Sequence, residues 1–176
     1  MKNLLLVIAL IAGTSVGRLM AQEVANKEKM KVFAGWIGRW QGEGSMQRGP
    51  GEPKKSTVDE RIESKLDGTV MVVEGVGKAL PGGEVVHHAL GILSYDQKSD
   101  QYKFRTYLND GRNTDAWFNV VGENNFQWGF DIPNGGKTRY SITLDPAQKS
   151  WVEIGEYTAD GNNWLKFFEM RLTKKE

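Results

Sequence analysis

From Trp40 onward the chain is interrupted at nearly regular intervals by turn signals, and this rhythm leaves few folds open. The signals are GPGEP around Pro50, Asp67-Gly68, PGG from Pro81, DQKSD from Asp96, Asp110-Gly111, GENN from Gly122, PNGG from Pro133, DPAQKS from Asp145 and Asp160-Gly161. Aspartate–glycine and asparagine–glycine steps supply the positive backbone angles that tight hairpins need. Between them lie short runs rich in Val, Ile, Thr, Phe, Tyr and Trp, so nine turns delimit roughly ten strands. Consecutive up-and-down strands either leave two open edges or close on themselves, and closure removes the edges. Only EVANKEKMKVFAGW, ahead of the first strand, has helical spacing, with Met30, Phe33 and Ile37 on one face. The expectation is an all-β, roughly ten-stranded antiparallel up-and-down barrel with a short N-terminal helix as a lid or plug.

The first 21 residues stand apart. A lysine precedes an unbroken apolar run from Leu4 to Ala12, then small and polar residues follow. That run is too short to cross a bilayer as a helix and has the layout of a secretory signal peptide, the rival reading being an uncleaved anchor. Residues 1–21 are therefore read as a signal peptide, cleaved after Gly17 or Ala21, and residues 22–176 as one domain. This implies a periplasmic or secreted protein with no membrane span in its mature form. The chain has no cysteine, so neither a lipid-attachment box nor a disulfide is available and packing alone must hold the fold.

Charge excludes further roles. There are 23 basic against 22 acidic side chains, and the leader removes Lys2 and Arg18 but no acid. A nearly neutral chain without basic runs offers no attraction to nucleic acid or to an anionic membrane. No nucleophile elbow and no zinc-binding helix motif occur, and no catalytic residue is assigned.

The stretch WIGRWQGEG, Trp36 to Gly44, has no lysine and no serine or threonine after its last glycine, so it is not a phosphate loop. Read as a strand, it puts Trp40, Gly42 and Gly44 on one side and Arg39, Gln41 and Glu43 on the other. Glycines on one face let a strand bend sharply or let another backbone come close. Gly38-Arg39-Trp40, just after a short helix, is similar to the glycine-any-tryptophan signature of lipocalins and the wider calycin group. The longer set Gly38, Trp40, Gly42 and Gly44 resembles the bacterial domain-of-unknown-function 1579 family and, more distantly, nitrobindin-type barrels. The resemblance implies that Trp40 closes the barrel base and that an arginine of the last strand, here Arg171, stacks over it. His87 with Gly91 is similar to a histidine-x-x-x-glycine pattern of nitrobindin-like barrels. Their haem ligand, a histidine near the C-terminus, has no counterpart here, which argues against haem; no cofactor and no metal are assigned.

His87 and His88 are adjacent in an apparent strand, so they point to opposite faces and cannot grip one metal together. Pairing Tyr95 with Tyr102 across the Gln97–Asp100 turn gathers Leu93, Tyr95, Tyr102 and Phe104 on one face. The other face gathers His88, Leu90 and Ile92 with Arg105 and Tyr107. The second set has the makeup of a ligand site, or of an outer wall, and a slip of one residue exchanges the two. Glu74, inside the apolar run TVMVVEGVGK, pairs with Arg105 in a cavity or faces solvent. Six Trp, seven Phe and five Tyr exceed what a small core needs and leave room for a pocket lined by residues such as Trp117 and Trp128. These readings make the chain an exported barrel binding a small apolar or amphipathic molecule, with His88, Arg105, Tyr107, Glu74, Trp117 and Trp128 as candidate ligand residues and Arg105 awaiting an anionic head group. The alternatives are a small-molecule isomerase or hydrolase with His88 as base, and an envelope protein-interaction module whose outer aromatics pair two barrels as a homodimer or dock a partner.

Overall fold

The computed structural model describes residues 22–133 and 135–175, so the leader lies outside the described residues. A helix over 22–30 tightens into a 3-10 turn at Lys31–Trp36, and ten strands follow. They are β1 (Gly38–Met46), β2 (Lys54–Lys65), β3 (Val70–Leu80), β4 (Val85–Asp96), β5 (Gln101–Leu108), β6 (Asn113–Gly122), β7 (Asn125–Asp131), β8 (Lys137–Asp145), β9 (Ser150–Thr158) and β10 (Leu165–Lys174). Each pairs antiparallel with its neighbours in sequence, and β1 pairs with β10 from Trp40↔Lys174 to Met46↔Phe168, closing the barrel. The nine expected turns all fall between strands. Closure leaves no unpaired edge, as the meander argument required.

The helix plugs one end, here called the floor. Met30, Phe33 and Trp36 are buried against Trp40, Ile62, Met71, Leu93, Phe118, Phe126 and Trp151. Phe33 is the hub, with edge contacts to Trp36, Tyr102 and Phe118 at ring separations of 5.2–5.5 Å. Such pairs add to plain area burial because ring edges meet ring faces. Ile37, expected on the buried face, is exposed, and Trp36 replaces it. The cause is the 3-10 turn: at three residues per turn the position below Phe33 is i+3, not i+4. Main-chain carbonyls freed at the helix end are taken up by the barrel. Trp40 Nε1 donates to Trp36 O at 2.7 Å, Lys174 Nζ to Gly35 O at 3.1 Å, and Tyr102 Oη to Lys29 O at 2.9 Å.

Trp40 is 2% exposed and seals the floor, as the resemblance implied. Arg171 does not stack on it. Successive strand residues alternate faces, and Leu172, two positions before Trp40's partner Lys174, already points inward, so Arg171 points out. It pairs there with Glu169 at 2.7 Å, while Lys174 Nζ takes the place over the Trp40 ring, 5.2 Å from its centre. Gly42 is the position where closure is tightest: a Cβ there would lie 2.0 Å from the carbonyl oxygen of Arg171. Only glycine lets β10 come this close to β1.

Candidate functional site

Register decides which side chains face the interior. The pairings Tyr95↔Tyr102 and Leu93↔Phe104 are those expected, and this face is the inner one: Leu93 is fully buried and Phe104 nearly so. Arg105 and Tyr107, opposite Ile92 and Leu90, therefore stand on the outer wall. The interior placement considered for His88, Arg105 and Tyr107 is corrected on this point. His88 Nε2 meets Glu74 Oε1 at 2.9 Å, with both side chains nearly half exposed, and Glu74 does not touch Arg105. Arg105 donates to Asn113 Oδ1 at 3.0 Å and lies over the Tyr107 ring. Trp117 is also outside, its indole lying flat over Gly129, where a Cβ would meet it at 2.5 Å. Of the six candidates only Trp128 faces inward.

Above the floor the inner surface changes. The inward positions of β1 and β3 include Gly42, Gly44, Gly75 and Gly77, and β4 adds Ala89 and Gly91. Trp128 and Phe130 of β7 and Tyr140 of β8 point into the same interior, as does Phe168 of β10, next to β1, and each is only partly buried. Because these rings point inward, their remaining exposure is to the barrel interior and its mouth. The mouth is ringed by the loops 47–53, 81–84, 109–112 and 159–164 and by residues 132, 133, 135 and 136, and His87, the inward partner of Gly77, stands exposed beneath it. The surrounding wall, then His88, Arg48 and Arg112, hold the His87 imidazole below its ordinary range.

Two acids occupy this upper interior. Glu60, between the inward-facing Val58 and Ile62 on β2, folds its carboxyl over Gly75, whose missing side chain leaves the space. It accepts no hydrogen bond from any described residue. Loss of water pushes its pKa up to about 8, and the charges of Glu153 and Asp59 add to the effect. Glu153 of β9 is 6% exposed. Its burial raises it to about 7, opposed by Trp128, whose Nε1 donates to Oε1 at 2.9 Å, and by the neighbouring Trp151 indole. The Trp151 Nε1–H stays short of a full hydrogen bond and is a buried donor without an acceptor. Tyr140 is pushed up as well, by burial and then by Glu153. Its ring stacks on Trp128 at 4.1 Å and 8°.

The outer wall carries a depression of about 850 Å³ along β1–β3, lined by Arg39, Asp59, Arg61 and Glu74 among others. Its charges are largely matched, with Arg39 donating to Asp59 at 2.6 Å. An open trough of paired charges holds a ligand poorly, since each pair is already solvated.

Glu60 and Glu153 escaped the sequence reading, although a signal was present. VDERI places the acid of an apolar face between Val58 and Ile62, and WVE places another two residues after Trp151, each a carboxyl at the period-two spacing of the core.

No family model matches the chain, and no curated protein sequence matches it. Solved structures do. The chain is similar to the crystal structure of Rv2717c from M. tuberculosis, at 11% identity and TM-score 0.62 over 84% of this chain and 97% of that one. It is also similar to the S-type phycobiliprotein lyase CPES from Guillardia theta, at 10% identity and TM-score 0.58 over 83% and 92%. At such identities the likeness establishes the lipocalin-like barrel fold alone.

Proposed function

We propose that this chain is an exported barrel holding one small amphipathic molecule in its upper interior, reached through the mouth opposite the helix. The carrying observation is the contrast along the barrel axis: the inward rings at the floor, Tyr102 excepted, are buried, and Trp128, Phe130, Tyr140 and Phe168 above it are only partly buried. Barrels of eight strands already have an interior just large enough for side chains or one small ligand, and ten strands widen it. Burial supplies the affinity, at roughly 0.8 kcal/mol per buried methylene, and the few polar groups fix orientation. The similarity to a phycobiliprotein lyase supports a barrel that handles a small molecule. Among the described residues no helix is long and apolar enough to cross a membrane.

Native mass spectrometry of the chain purified from its own host tests the reading. One retained small molecule per chain is expected, and it is lost when Ala89→Trp fills the space opposite Trp128 and Tyr140. An adduct that survives Ala89→Trp places the molecule elsewhere. N-terminal sequencing of the same material should begin after residue 17 or residue 21, and an intact leader overturns export. Catalysis in the same interior is the second reading, favoured by two carboxyls whose pKa values lie near neutrality, where one can give and the other take a proton. It requires turnover that Glu153→Gln abolishes while binding persists.

A further inference from the structure

We infer that the occupant is a cationic amphiphile, a protonated amine on an apolar body, whose ammonium group lies between the carboxyls of Glu60 and Glu153. This rests on the container reading above and names the head group that the container selects. The first support is missing charge. Among the described residues neither acid joins an ion pair, and the basic groups at the barrel ends act elsewhere: Arg112 pairs with Asp110, and the charge of Arg48 acts on His87 and Tyr140. Lys174 donates to Gly35 O beneath Trp40, and Arg48 stands exposed on the mouth loop; neither stabilises either carboxylate. Buried carboxyls are otherwise paired or bound to metal.

Unmet hydrogen bonds are the second support. Among the described residues Glu60 accepts none, Glu153 uses one oxygen for Trp128, and the Tyr140 hydroxyl has no partner. An ammonium group brings three donors and no acceptor, which is what a set of carboxylate oxygens lacks. The third support is the stacked Trp128–Tyr140 pair adjoining Glu153. Aromatic faces attract cations, most strongly where water is excluded. Gly75, which has no side chain, leaves room for the Glu60 carboxyl to lie over the strand on the inner face. An anionic head group would be a third negative charge in this space, the reverse of what Arg105 suggested while it was placed inside.

A matched series tests this: octylamine, octanol and octanoate titrated into the leader-free chain at pH 7.5, followed by calorimetry and by tryptophan fluorescence. Octylamine, protonated below about pH 10, is expected to bind at least about tenfold more tightly than octanol, with octanoate weakest. Glu60→Gln and Glu153→Gln are each expected to lower octylamine affinity about tenfold or more and to leave octanol unchanged. Glutamine keeps the shape of the neutral acid, so folding is preserved, and a melting curve verifies it. Octanol binding as tightly as octylamine, or octylamine binding that ignores both substitutions, overturns the acid pair as the selector while leaving the container. Binding of none of the three overturns the container and this inference with it.

Discussion

The floor and the upper interior of this barrel are built from the same strands, yet they obey different rules. At the floor the buried side chains are apolar, most aromatic rings meet edge to face, and among the described residues only Asn26 Oδ1, Trp36 Nε1 and Trp151 Nε1 are buried side-chain polar atoms without a partner. Above it, the same strands present glycines, half-covered rings and two carboxyls held near neutrality. Glu60, partly buried, and Glu153, buried, have no cationic partner among the described residues, which lowers stability and marks a region shaped for something other than stability. One end holds the barrel together, and the other is left available.

The largest expected effect comes from breaking the floor. Trp40→Ala removes a fully buried indole, its hydrogen bond to Trp36 O and the surface under Lys174, and is expected to cost about 3–5 kcal/mol in denaturant unfolding. Phe168→Ala, in the partly buried upper wall, is expected to cost about 1–2 kcal/mol. Equal losses would erase the distinction between the two regions. Next is the seam beside the floor: Gly42→Ala drives a methyl into the Arg171 carbonyl and should cost about 1–3 kcal/mol through a spread β1–β10 pairing.

The upper interior is probed by pH. Both acids keep their protons in the folded barrel at pH values where the unfolded chain has lost them. Unfolding then releases protons, so stability falls as pH rises from the ordinary carboxylate range, near 4.5, toward about 8, and levels off beyond it. The melting temperature should therefore be higher at pH 5 than at pH 8, after correction for the exposed groups. Glu60→Gln should flatten this slope, raising the melting temperature at pH 8 and leaving it unchanged at pH 5. A slope that survives in the double Gln variant at positions 60 and 153 would move its origin away from the pair.

The floor was legible in the sequence and the upper interior was not, for a physical reason. Strand count, turns and plug follow from local chemistry: Asp-Gly steps, period-two alternation, and Met30 and Phe33 at helical spacing. The pairing of β4 with β5 was legible too. Which of its faces points inward was not, because the inner face of β4 carries Ala89 and Gly91 while the outer carries Leu90 and Ile92. An inner wall built from small residues reads as less apolar than the outside, so a hydrophobicity argument inverts it. Glu60 was hidden by the same logic, its strand KKSTVDERIESK carrying charge on both faces.

The smallest expected effect separates the outer wall from both interior regions. Arg171, given a place over Trp40 by resemblance, has its side chain 69% exposed and pairs with Glu169, which also receives Lys166 at 2.7 Å. Glu169 thus keeps a cation when Arg171 is removed, and exposed pairs of this kind are worth well under 1 kcal/mol. Arg171→Ala is expected to change unfolding free energy by no more than about 0.5 kcal/mol. Lys174→Met, by contrast, removes the cation above the floor tryptophan and the donor to Gly35 O, and should cost about 1 kcal/mol. Measured together by urea unfolding, the two substitutions rank the last strand's outer and inner cations. If Arg171→Ala proved the more damaging, the guanidinium would belong to the floor, and the boundary between wall and core would have to be redrawn there.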